Sequence, residues 1–192
     1  SEILGNMRLG LFSVLLLESI YFYNFTTPEF NVNVCQLPFW ALTVYYFWRS
    51  ISTNKNLDWF LFGLFSALGF LSKYLFIYLL FSIFIYFIFN IKKNKKFLYK
   101  YLFSIFISLL VLIPHLNWLI ENNFTTIFYG YNRASLSQSI FLDHIINPII
   151  LSLKQIGILL PVFIMIFIAI DKFKIKMNLK NNKTFFLFSI NI

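Results

Sequence analysis

In this chain of 192 residues with a net charge of +9, 59% of the residues are hydrophobic, 12% are charged, and the mean hydropathy is +0.76. A water-soluble domain carries about a quarter of its residues charged, so half that share excludes a fold whose whole surface meets water. The length leaves room for about six or seven spans of ~20 residues, which predicts an all-α, polytopic transmembrane bundle forming one membrane-embedded domain over residues 1–192.

Apolar runs between polar breaks predict the spans in chain order. The first runs from Leu9 to Tyr23, and a polar loop, Asn24 to Asn33, follows it. No small-residue cleavage site comes after this run and further spans do, so it is not a signal peptide. The second span runs from Leu37 to Ile51. A 33-residue apolar stretch then extends from Trp59 to Ile91, broken only at Ser72-Lys73. As one helix it would rise about 50 Å, well beyond a ~30 Å hydrocarbon core. The fifth span covers Leu98 to Ile120, a polar stretch reaches Asn147, and the sixth covers Ile149 to Ile170. A seventh begins near Phe185. The chain opens at Ser1 rather than at a methionine and stops inside that new apolar run. This reads as part of a longer protein, with an N-terminal span, its first outer loop and a C-terminal region beyond the sequence.

Charge decides how the long stretch is divided. If Trp59 to Ile91 is a hairpin of two short helices turning near Gly69 to Tyr74, then Arg8, Arg49, Lys55, Lys92, Lys93, Lys95, Lys96, Lys100, Lys172, Lys174, Lys176, Lys180 and Lys183 fall on one side. That is 13 of the 16 cations, the pattern of a cytoplasmic face. These lysines serve as topology signals beside an anionic leaflet, and nothing interleaves them with a surface that could read nucleic acid. Cys35 is the only cysteine, so there is no intrachain disulfide.

The opposite side keeps three cations, Lys73, Arg133 and Lys154, together with Glu29, Glu121, Asp143, His115 and His144. Its loops are also rich in Asn, Thr and Tyr, so chemistry is expected at this outer face. Lys73 sits in the turn between two apolar walls, where an ammonium needs an anion or water. It can contact a phosphate at the membrane surface, or snorkel to lipid headgroups. Arg133 lies in a polar loop, Tyr129 to Arg133, where its planar fork can grip a phosphate or simply be solvated. Glu18, in the outer half of span one, is either functional or hydrogen-bonded between helices. Pro114 kinks span five just before His115, which can act as a base, as a donor or structurally. The substrate cavity is expected to be lined by Glu29, Asn31, Asn33, Tyr74, His115, Asn117 and Glu121. Gly63, Ser66, Ala67 and Gly69 form a stripe suited to close helix packing. His115 and His144 lack metal-ligand spacing. No metal site is therefore assigned and no cofactor is certain, with a divalent cation left open.

Three segments carry a family resemblance. Pro28-Glu29-Phe30-Asn31-Val32-Asn33 leads into Leu37-Pro38-Phe39-Trp40-Ala41-Leu42-Thr43 and Tyr46-Phe47-Trp48-Arg49. Gly63 to Gly69 leads into Phe70-Leu71-Ser72-Lys73-Tyr74. Pro114-His115-Leu116-Asn117-Trp118-Leu119 closes the series. In order and spacing, over roughly residues 1–150, these resemble the superfamily of dolichyl-phosphate-mannose protein mannosyltransferases and aminoarabinose transferases. These are glycosyltransferases of the membrane-embedded C-type fold. The resemblance implies transfer of a sugar from a polyprenyl-phosphate donor to a glycan, glycolipid (lipopolysaccharide included) or protein acceptor at the outer face. It implies residence in a cell-envelope membrane, here a bacterial inner membrane with the active face periplasmic. It places Lys73 at the family's Ser/Thr-Lys, near the carrier phosphate, and the acidic base in a first outer loop that would precede Ser1. Glu29 and His115 are the candidates for the base within the sequence. Where the family often carries aspartate before the Leu-Pro-Phe-Trp helix, this chain has Asn33. Two other functions fit the composition: a transporter or flippase for an amphipathic solute, and a non-catalytic subunit of a membrane complex.

Overall fold

The computed structural model describes residues 7–18, 20, 30–91, 96–135 and 143–173. Within them the regular structure is helical: α1 (Met7–Glu18), α2 (Val32–Thr53), α3 (Asn56–Ser72), a 3-10 turn (Tyr74–Phe76), α4 (Ile77–Ile91), α5 (Lys96–Glu121), α6 (Thr125–Ser135) and α7 (Asp143–Phe173). Two units form, one from α2 to α5 and one from α1, α6 and α7.

In the first unit, α2 starts at Val32 because Asn31 caps it. The Asn31 side-chain oxygen Oδ1 accepts from the backbone N–H of Asn33 at 2.9 Å and of Val34 at 3.2 Å, which satisfies donors that a helix start leaves unpaired. The helix therefore opens five residues before the expected Leu37. Its other end is closed by Asn54 in the left-handed region, φ 53°, with its N–H on the Ser50 carbonyl at 3.0 Å. The chain then turns back into α3, and Phe47 meets Phe62 while Tyr46 stacks on Phe65, with ring centroids 5.1 and 5.3 Å apart.

A polar staple closes this α2–α3 hairpin. Asp58 is 2% exposed, lies 3.0 Å from Arg49 Nε, and accepts from the Thr53 hydroxyl. Breaking a buried ion pair strands its partner, although Arg49 is exposed enough to regain water. Asp58→Ala is expected to cost roughly 2 kcal/mol, read as a lower melting temperature of the helical signal in detergent.

The long apolar stretch is broken at Lys73. The Lys73 N–H and the Ser72 hydroxyl both fall on the Gly69 carbonyl, and the Phe76 ring packs where a Gly69 side chain would be. The chain reverses there, so Trp59 and Phe87 meet with ring centroids 6.5 Å apart. In one straight helix, 28 residues would separate them by about 42 Å. On the other side of α3, Ser104 and Ser108 of α5 donate to the carbonyls of Trp59 and Gly63, each at 2.7 Å. Hydroxyls that bond backbone across helices suit a setting without water. The core is largely aromatic: Phe47, Trp59, Phe62, Phe76, Phe87 and Tyr101, with Tyr101 stacked on Phe87 at 4.1 Å.

Two helices are long and apolar enough to cross a membrane, Phe97–Glu121 in α5 and Ile146–Phe167 in α7. The apolar segments Asn56–Ser72 and Tyr74–Phe89 are shorter. At 17 residues, α3 rises ~25 Å. Six spans were expected, and among the described residues two helices meet the length and hydropathy of a span. The apolar side chains of α7, Leu151, Leu153, Phe163 and Phe167 among them, are exposed, as befits a helix solvated by lipid.

The second unit departs from expectation at Arg133. This residue lies in helix α6 rather than in a loop. From Thr125 the sequence places Ile127, Phe128 and Tyr131 on one side of a helix and Thr126, Tyr129 and Arg133 on another, a helical period within a polar stretch. Likewise α7 begins at Asp143, not after Asn147, and carries Pro148 as its sixth residue, which has no N–H to give the carbonyl four residues before it. Glu29, the first-loop residues before it, the Lys92–Lys95 segment and the seventh span near Phe185 lie outside the described residues.

Candidate functional site

Three elements of the first unit meet around the break at Lys73. The backbone of Lys73 is extended, φ −161° and ψ 128°, a single non-helical residue between α3 and the 3-10 turn. Its carbonyl accepts from the Phe76 N–H at 2.9 Å, so both of its peptide groups are held. The Lys73 ammonium donates to Oδ1 of Asn33, in the first turn of α2. Forty residues separate the two in the chain, so this contact is a product of the fold.

The next residue reaches the other way. The Tyr74 hydroxyl lies 2.9 Å from Nε2 of His115 on α5, a hydrogen bond whose donor depends on the imidazole tautomer. The His115 ring lies 13° from the plane of Trp118, with centroids 6.0 Å apart, and Tyr74 also packs against Phe70. His115 follows Pro114, which has no N–H to give the Leu110 carbonyl; α5 nonetheless continues to Glu121. The start of α2, the α3–α4 turn and the late part of α5 are thus joined by two side-chain bonds from adjacent residues.

Of the residues expected at the site, the structure brings together Asn33, Tyr74 and His115 of the cavity with Lys73, expected at the carrier phosphate. Asn31 stands beside them as the helix cap. Asn117 is exposed on α5, two residues beyond His115, and hydrogen-bonds to none of these four. Glu121 closes α5 and is exposed, Arg133 lies in α6, and Glu29 lies outside the described residues. Glu18 ends α1 and is exposed, and Lys154 is exposed on α7. Among the described residues, no three His, Cys, Asp or Glu side chains gather as metal ligands.

The sequence alone does not specify these pairings. Each of the four residues could be singled out, but which pairs with which depends on helix packing that no local spacing records. The Ser104–Ser108 pair, four residues apart on one helical face, was the available signal for the α3–α5 contact.

Chemically, the cluster offers one cation with donors to spare and a phenol–imidazole pair beside it. This suits recognition of an anionic oxygen at the end of a helical bundle. Between α3, α4 and α5 lies an open, mostly apolar groove of about 320 Å³, lined by Phe62, Leu80, Phe84 and Tyr101 with Ser66, Ser104 and Ser108.

Residues 2–118, which include α1 to α4 and most of α5, match the family model described as dolichyl-phosphate-mannose-protein mannosyltransferase. No curated protein and no solved structure matches the chain. The matched segment contains Asn33, Lys73, Tyr74 and His115, and ends before α6.

Proposed function

The chain belongs to the dolichyl-phosphate-mannose-protein mannosyltransferase family, and from that premise we propose that it moves a sugar from a polyprenyl-phosphate carrier to a cell-envelope acceptor at the outer face of a membrane. The observation that carries this reading is the cluster at the α3–α4 turn, where Lys73 is held on Asn33 beside the Tyr74–His115 pair. In such a transfer the acceptor oxygen attacks the anomeric carbon, and the bond from that carbon to the phosphate oxygen breaks. The electron pair leaves with the phosphate, which goes from a singly charged diester to a monoester of higher charge. A fixed ammonium at that oxygen favours the transition state more than the ground state. Lys73 is assigned this role. His115 and Glu29 are the groups proposed to take the acceptor proton.

The proposed topology supports the assignment. With six spans and the Arg49, Lys55 and Lys100 ends inside, the α3–α4 turn faces outward, where a carrier phosphate sits at the headgroup level. The open apolar groove between α3, α4 and α5 suits an isoprenoid chain whose phosphate lies at the turn.

The test uses membranes carrying the full chain and a polyprenyl phosphate bearing a radiolabelled sugar. The label is expected to leave the lipid extract and appear on an acceptor, while a nucleotide sugar supplied alone gives no product. Passage of intact donor across the bilayer without cleavage would establish a flippase instead, and direct use of the nucleotide sugar would exclude a lipid-linked donor.

A further inference from the structure

We propose that Asn33 is a positioning residue that holds the Lys73 ammonium with a neutral oxygen, fixing the cation while leaving its charge uncompensated for an incoming phosphate. This inference rests on the phosphate role assigned to Lys73 above. Lysine has a four-carbon stem and three donors, so without an anchor its ammonium samples a wide arc at the turn. Here both ends of the contact are fixed. The Lys73 peptide groups are tied to Gly69 and Phe76, and Asn33 sits in the first turn of α2 with its own N–H on the Asn31 side chain. One ammonium donor goes to Asn33 Oδ1, and among the described residues no acceptor takes the other two.

The chemistry of the partner matters as much as its place. Among the described residues, the Lys73 ammonium meets this amide and no carboxylate, whereas Arg49 at the far end of α2 is paired with Asp58. A carboxylate at position 33 would hold the lysine as firmly but would cancel most of its field. It would also favour α2 itself, because an acidic residue in the first turn complements the positive end of the helix dipole, and α2 has no acidic residue there. Helix stability therefore favours aspartate at this position, and anion binding favours asparagine. The two demands have opposite signs, so they can be separated by experiment.

The probe is polyprenyl monophosphate, and the readout is its binding to the full chain in nanodiscs of neutral phosphatidylcholine. Asn33→Asp is expected to weaken binding about tenfold, with a melting temperature equal to or above that of the parent. Asn33→Ala frees the ammonium without neutralising it and is expected to weaken binding by less, roughly threefold. In a Lys73→Ala background, Asn33→Ala is expected to have no further effect, because the amide acts on the phosphate only through the lysine. A merely structural asparagine reverses the order, since aspartate preserves its shape and alanine does not. Binding by Asn33→Asp that is tighter than by Asn33→Ala would overturn the proposal, as would an equal loss from Asn33→Ala with or without Lys73. If Lys73→Ala alone binds the probe as well as the parent, the phosphate role of Lys73 falls, a result distinct from failure of Asn33.

Discussion

Lys73→Ala is expected to lower kcat/KM for transfer from the lipid-linked donor by about 100-fold or more, the usual effect of removing one preorganised group at a developing anion. The loss belongs to chemistry and not to folding. Lys73 is only partly buried, its backbone is extended, and its N–H bond to the Gly69 carbonyl does not depend on the side chain. The helical signal and melting temperature of the variant are therefore expected to stay near those of the parent. Lys73→Arg keeps the charge but spreads it over a planar fork with different reach, and a partial loss follows. A Lys73→Ala enzyme with unchanged kcat/KM would remove this residue from the site.

The largest effect on folding is expected at Gly63. A side chain there would collide with the backbone carbonyl of Ser104, and the Gly63 carbonyl also accepts the Ser108 hydroxyl. Backbone cannot swing aside as a side chain can, so even Gly63→Ala forces α5 away from α3. The cost is about 3 kcal/mol, and Gly63→Leu is expected to leave no folded protein in detergent. Gly69→Ala meets only the Phe76 ring, which can shift, so its effect is expected to be smaller. Gly130 and Gly157 have open space around them. Alanine at either is expected to be tolerated, with about 0.5–1 kcal/mol of helix propensity in its favour. Melting of the helical signal across these four alanine variants gives the order. Equal stability of Gly63→Ala and Gly130→Ala would contradict the close α3–α5 contact.

The contrast among the glycines mirrors what the sequence could and could not convey. The Gly63-Ser66-Ala67-Gly69 stripe announced close packing, but not that Ser104 and Ser108 are the groups received. The lysines around 92–100 required the long apolar run to fold back on itself, and the meeting of Trp59 with Phe87 is that reversal. Charge asymmetry is a whole-chain property, which is why it survives the absence of any partner information. Helix α6 was hidden because polar composition around Gly130 reads as a loop, although the spacing of Ile127, Phe128 and Tyr131 is helical. The early start of α2 turned on one side chain, Asn31, satisfying two backbone donors. The Arg49–Asp58 staple is not legible in the sequence, where Arg49 at the end of an apolar run has the signature of a topology signal. Asn33 with Lys73, and Tyr74 with His115, are contacts across 40 and 41 residues, and only the packing of α2 and α5 against the turn brings them about.

The most direct test of the carrier site is photolabelling of the full chain in membranes with a polyprenyl phosphate that bears a diazirine on the isoprene unit next to the phosphate. Labelled peptides are expected from the α3–α4 turn, residues 70–77, and from the start of α2, residues 31–35, with the signal suppressed by excess unlabelled polyprenyl monophosphate. Labelling confined to α7, or labelling of the turn that the competitor does not reduce, would contradict a carrier phosphate held at Lys73.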